Sequence, residues 1–164
     1  MHNCILHLGS NVGFPQYNLE LAEVLVWNYI GEIKTKSKLY QTAPWGYHDQ
    51  SDFLNCAYWV LTDKSAEEVL SEAQMIEQRM GREKTLKWGP RLIDIDIIFF
   101  DEQIIENDNL IIPHPEITNR NFVLVPLMDI CPDWIHPTKA KTIRAILNEC
   151  KDQSQVTLWI DGEN

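Results

Sequence analysis

Between Ile93 and Ile97 the chain alternates isoleucine with aspartate: Ile93-Asp94-Ile95-Asp96-Ile97. Strict apolar/acidic alternation is the pattern of a β-strand, and it fixes which residues share a face. Asp94 and Asp96 point one way, and the three isoleucines the other. Two carboxylates about 7 Å apart along one strand repel unless a cation lies between them. Aspartate is a poor strand residue, and two of them break an otherwise strongly β-forming run. An exposed Asp-x-Asp can be plain wet surface. Here Trp88-Gly89-Pro90-Arg91 stands just upstream and adds an aromatic, a turn and a fixed cation. Oxygen-only ligands beside an arginine suit Mg²⁺ shared with substrate phosphates better than zinc.

Charge narrows the partner. The net charge of −10 argues against nucleic acid. Yet Arg79, Arg82, Lys84, Lys87 and Arg91 stand against Glu83 alone in one short segment, +4 locally, leaving −14 elsewhere. A positive island before an acidic pair fits a polyphosphate better than a polymer. A helix C-terminus alone explains Arg79 and Arg82 but not Lys87 and Arg91.

A length of 164 residues, 45% of them hydrophobic, suits one domain over 1–164 with a proper core and no second catalytic unit. No run reaches the ~18–20 apolar residues of a membrane span. The amino-terminal residues lack the basic region and cleavage site of a signal peptide. Cys4, Cys56, Cys131 and Cys150 form no Cys-x-x-Cys pair and read as reduced thiols. A cytoplasmic enzyme without membrane contact is expected. A monomer is expected too, on the ground that no long exposed apolar stripe is left over.

The periodicities predict a strand over 2–8, a helix over 15–29, and an edge strand over 33–41. A loop over 42–52 follows, then a strand over 53–61 and a helix capped by Ser65 and stopped at Gly81. Beyond the Asp-x-Asp strand, 103–105 reads as its short hairpin partner and 110–115 as extended. Segments 121–130 and 142–150 read as helices, the first despite Pro126, and 156–160 as a last strand. The fold class is α+β: a ferredoxin-like β-α-β-β-α-β core with an antiparallel sheet and a smaller C-terminal extension.

Several local signals stand together. They are Gly9-Ser10-Asn11 and Thr42-x-Pro44-x-Gly46-x-x-Asp49-Gln50-x-Asp52-Phe53-x-Asn55, then Gln74-x-x-Glu77 and Gly81-Arg82. Downstream come Trp88-Gly89-Pro90-Arg91-x-x-Asp94-x-Asp96, Pro113-His114 and Asn119-Arg120-x-Phe122. Together they resemble the 6-hydroxymethyl-7,8-dihydropterin pyrophosphokinase family from about Gly9 to Leu127. The resemblance implies transfer of pyrophosphate from ATP to the pterin's hydroxymethyl group in folate biosynthesis, with release of AMP.

It also implies roles. Asp94 and Asp96 match the holders of two Mg²⁺ ions, and Arg82 and Arg91 the phosphate-contacting arginines. Gln74, Glu77, Ile97, His114 and Arg120 match positions near ATP, and Trp88 a tryptophan of the loop that covers the site. Thr42, Pro44, Trp45, Phe53, Asn55 and Phe122 match the pterin site. Asn109 and Pro115 depart from a family arginine and a family aromatic on the nucleotide side. Two other classes compete: a non-enzymatic ferredoxin-like ligand-binding module, which needs no metal, and a metal-dependent nucleotide-sugar transferase, which usually brings a parallel sheet.

Overall fold

A computed structural model of the chain describes residues 1–46, 48–81 and 89–161. In chain order its elements are β1 (His2–Ser10), α1 (Pro15–Tyr29), β2 (Glu32–Lys36), β3 (Tyr40–Thr42), β4 (Phe53–Thr62), α2 (Ala66–Arg79) and β5 (Asp94–Phe100). Then come β6 (Ile105–Glu106), β7 (Ile111–Ile112), a 3₁₀ turn (Ile117–Asn119), α3 (Asn121–Ile130), α4 (Ile143–Glu149) and β8 (Val156–Leu158). The main sheet runs β5-β1-β4-β3-β8, with β2 also on β4, and every pairing is antiparallel. The architecture is a mixed α+β one. Among the described residues no helix is long and apolar enough to cross a membrane.

Alternation along β1 separates two cores. Cys4, Leu6 and Leu8 pack with Leu19, Ala22 and Val26 of α1 and Val69, Ala73 and Ile76 of α2. Ile5 faces the other way and packs with Phe99, α3 and α4. The C-terminal part therefore closes the second face of the sheet, and β8 adds a strand beyond β3. Proline in its first turn starts α1. A full capping box between Ser65 and Glu68 starts α2, and Gly81 at φ +89° follows its end.

Three expectations need correction. The single edge strand over 33–41 is two strands, because Ser37 interrupts it: its hydroxyl accepts the Ala57 N–H at 2.8 Å and donates to the Lys38 carbonyl at 2.7 Å. Segment 103–105 does not pair with the Asp-x-Asp strand; β6 pairs with β7 instead. Asp101 turns the chain away there at φ 47°, its carboxylate accepting the Asn3 N–H at 2.8 Å and bonding His2 Nδ1 at 2.7 Å. The third concerns the surface. An apolar stripe does stand out on α1, which removes the ground on which a monomer was expected.

Candidate active site

The sheet register assembles a floor from three strands. Asn55, Gly9 and Asp94 lie abreast across β4, β1 and β5, and Ala57, His7 and Asp96 form the next row. Gly9 is small for a reason: a Cβ there would sit 3.0 Å from Asn55 Oδ1 and 3.6 Å from the Phe53 ring. Asn55 is buried, and its Nδ2 donates to Thr42 Oγ1 at 2.7 Å. That bond orients the amide and leaves Oδ1 turned toward Gly9. Phe122 and Trp45 form the wall, their rings 6.2 Å apart, with the Arg120 guanidinium 5.8 and 5.9 Å from the two ring centres.

This slot also takes in Thr42, Phe53, Arg91, Asp94 and Asp96 and encloses about 110 Å³. That is below the roughly 300–1,000 Å³ of sites for drug-sized ligands, so it suits one small flat ring. A second groove of about 270 Å³ runs beside it, lined by Leu70, Ile97, Asn109, Leu110, His114 and Pro115. Asp96 lines both.

The Gly-Ser-Asn turn is the clip that holds the slot's loops. Asn11 accepts the Arg91 N–H on Oδ1 at 2.8 Å, and its Nδ2 donates to Gln50 Oε1 and the Ser51 carbonyl, both at 2.9 Å. Ser10 Oγ donates to the Leu92 carbonyl at 2.6 Å, and Asn18 Nδ2 donates to Ser10 Oγ at 3.0 Å. The end of β1 thereby ties the loop before β4 to the segment before β5.

The remaining expected residues divide. Pro44 is buried in the loop before β4. Gln74 lies on an adjoining groove that shares Leu70 and Asn109 with the second one. Glu77 is buried and accepts the Ile95 N–H at 2.8 Å, bracing the outer edge of β5. His114 Nδ1 accepts the Glu116 N–H at 3.2 Å; burial, then Arg120, lowers its pKa. Arg82 and Trp88, with Lys84 and Lys87, lie outside the described residues. Among the described residues no three His, Cys, Asp or Glu side chains converge on a metal position. Asp94 and Asp96, both half-buried on the floor of the slot, are the carboxylates there that could hold a cation.

His7 is the site residue that sequence reasoning missed. Pro126 has no N–H to offer the Phe122 carbonyl one helical turn back. His7 Nε2 meets that carbonyl at 3.2 Å, and its ring lies 5.7 Å from the Phe122 ring. A lone histidine in an apolar strand carries no local sign of this; the only signal is a proline inside a helical pattern.

Burial lowers the His7 pKa from 6.5 to about 4, and the His114 and Arg120 charges push the same way. His114 and His136 are lowered too, burial first. A base with a depressed folded-state pKa stabilises the fold fully above about pH 6.5. That contribution falls as the pH drops through 4. For His7 the loss is about 2 kcal/mol by about pH 5. Urea melts should show this fall, and His7→Gln should remove part of it. A melt unchanged between neutral pH and about pH 5 would contradict it.

Residues 5–132 match the family model for 7,8-dihydro-6-hydroxymethylpterin-pyrophosphokinase. The 2-amino-4-hydroxy-6-hydroxymethyldihydropteridine pyrophosphokinase of Bacillus subtilis (strain 168) is 38% identical over 159 residues, 96% of this chain and 95% of the relative. The folic acid synthesis protein fol1 of Pneumocystis carinii is 39% identical over 148 residues, 90% of this chain but only 20% of that protein. The wild-type HPPK-DHPS of Plasmodium falciparum, solved with pteroate, superposes with a TM-score of 0.74 at 22% identity. That match covers 90% of this chain and 42% of the solved one, so the chain spans less than half of the larger protein.

Proposed function

Because the chain belongs to the 7,8-dihydro-6-hydroxymethylpterin-pyrophosphokinase family and so transfers pyrophosphate to the pterin's hydroxymethyl group in folate biosynthesis, we propose that slot and groove divide its two substrates. The pterin takes the slot and ATP the groove. The observation that carries this is the position of Asp96, which lines both. A pterin in the slot and a nucleotide in the groove meet at that carboxylate.

Phe53 and Phe122 hold the flat ring, each aromatic contact contributing on the order of 1 kcal/mol beyond burial. Asn55 Oδ1 accepts an N–H from the pterin's amide-like edge, with Thr42 holding the amide in place and the backbone around Pro44 and Trp45 completing that edge. His114, Ile97 and Gln74 lie on the nucleotide side. Arg91 and Arg82 grip phosphate oxygens, Arg120 serves the nucleotide side, and the family resemblance gives Trp88, which lies outside the described residues, a part in binding ATP. Glu77 stands on the ATP side with Gln74, and its carboxylate also fixes the strand that carries both acids.

Asp94 and Asp96 are the residues that would hold two magnesium ions. Held there, such ions would supply neutralisation of the phosphate charge. The protein's own work is to position both substrates and to keep water from the reacting phosphorus. The strand order supports a ferredoxin-like core, with the residues after Lys139 completing one domain over 1–164. The four free cysteines support a cytoplasmic setting.

Incubation with Mg²⁺, ATP and the pterin alcohol should release one AMP per pterin consumed. ADP as the product would refute pyrophosphoryl transfer, and no turnover would favour the ligand-binding module.

A further inference from the structure

Helix α3 has a gap in its first turn. A helical carbonyl accepts the N–H four residues on, and four residues after Phe122 stands Pro126, which has none. Folded proteins rarely leave a backbone carbonyl unpaired at a buried surface. His7 supplies the missing donor from β1, its Nε2 at 3.2 Å. Only a protonated Nε2 can bond a carbonyl, so the contact also fixes the tautomer of the ring. Room for the imidazole comes from Ala57, the small residue beside it on β4.

The bond falls where packing holds the helix least. Val123 and Leu124 are buried with Ile5 and Ala57, and they hold the body of α3 to the sheet. Phe122 lies at the margin of that cluster and is only partly buried, its ring 5.7 Å from the His7 ring and 6.2 Å from Trp45. Arg120 gives the helix no capping side chain. The Asn121 N–H instead donates to the Asp152 carboxylate at 2.9 Å, which fixes where the helix starts but not how far its first turn stands from β1.

We propose that His7 is a positioning residue for pterin binding: by holding the carbonyl that Pro126 leaves unpaired, it sets how far the Phe122 wall stands from the floor of the slot. This rests on the reading that the pterin takes the slot. His7 acts through Phe122, and a wall displaced by about an ångström grips a flat ring less well. Any apolar side chain of similar size would fill the space beside Ala57; only a donor at the place of Nε2 serves the carbonyl.

The test titrates pterin calorimetrically into protein saturated with a non-hydrolysable ATP analogue. His7→Leu should weaken pterin binding about tenfold, the effect of stranding the carbonyl, with nucleotide affinity unchanged. His7→Gln, whose amide nitrogen falls near the place of Nε2, should recover most of the loss. Pro126→Ala should make His7→Leu nearly harmless, because residue 126 then donates to the Phe122 carbonyl itself; the two changes are coupled and do not add. Imidazole nitrogen NMR of the wild type should show the Nε2–H tautomer. A His7→Leu variant that binds pterin like the wild type, whatever its melting temperature, overturns the proposal. So does a loss that Pro126→Ala leaves in place, or an Nδ1–H tautomer. Phe122→Ala separates the two readings. If it spares pterin binding, the slot assignment falls and this role with it; if it weakens binding that His7→Leu spares, only the positioning role falls.

Discussion

Asp96→Asn should lower turnover at least ~100-fold while leaving the fold intact, and Asp94→Asn should do nearly as much. Both carboxylates are half-buried on the strand face that carries the slot, and each stands beside a residue of β1 that fixes its height: Gly9 for Asp94 and His7 for Asp96. Asparagine keeps shape and most hydrogen bonds but not the negative charge that gathers a divalent cation. The effect should fall on kcat, because neutralising a polyphosphate matters most as charge redistributes during transfer. Asp96 should suffer more than Asp94, since it alone of the pair also borders the groove. Steady-state kinetics at saturating Mg²⁺, with thermal melts as a control on folding, make the test. Either variant within about tenfold of the wild-type rate would remove the pair from the chemistry.

The second large effect concerns substrate choice. Asn55→Leu should weaken pterin binding on the order of 100-fold and leave ATP affinity unchanged, because a polar site built for an N–H loses its acceptor. Gly9→Ala should reproduce part of this from the neighbouring strand, since its methyl group would press on Asn55 Oδ1 at 3.0 Å. Calorimetry with the pterin and, separately, a non-hydrolysable nucleotide distinguishes the two. Equal losses for both ligands would mean general damage and not a recognition contact.

What was legible in the residues was local. Helix α1 occupies the residues its periodicity predicts, and α2 starts at its capping box. The shared face of Asp94 and Asp96 follows from the period of a strand. Pairing was less legible, because alternation says which way a side chain points and not what lies beside it. Thus Ser37 breaks an edge strand by taking over a ladder bond, and β6 finds β7 instead of β5. His7 was invisible because its partner is a carbonyl released by Pro126 in a distant helix. The bond from the Ile95 N–H to the Glu77 carboxylate, which braces β5, was equally invisible because the two residues lie in different elements. The outer stripe of α1 was hidden by the richness of the same helix in core residues.

The pairing of β1 with β5 slips by one residue between Ile5 and Leu6, leaving Ile98 as the extra residue. Both Ile98 and Phe99 then enter the core under α3, while Phe100 turns toward α2. The slip acts like a comma in a reading frame. On one side the strand is phased by where its acids must look, on the other by where two aromatic rings must fit, and neither phase dictates the other. The aromatic end can therefore be repacked without rotating the acids away from the slot, so long as the extra residue is kept.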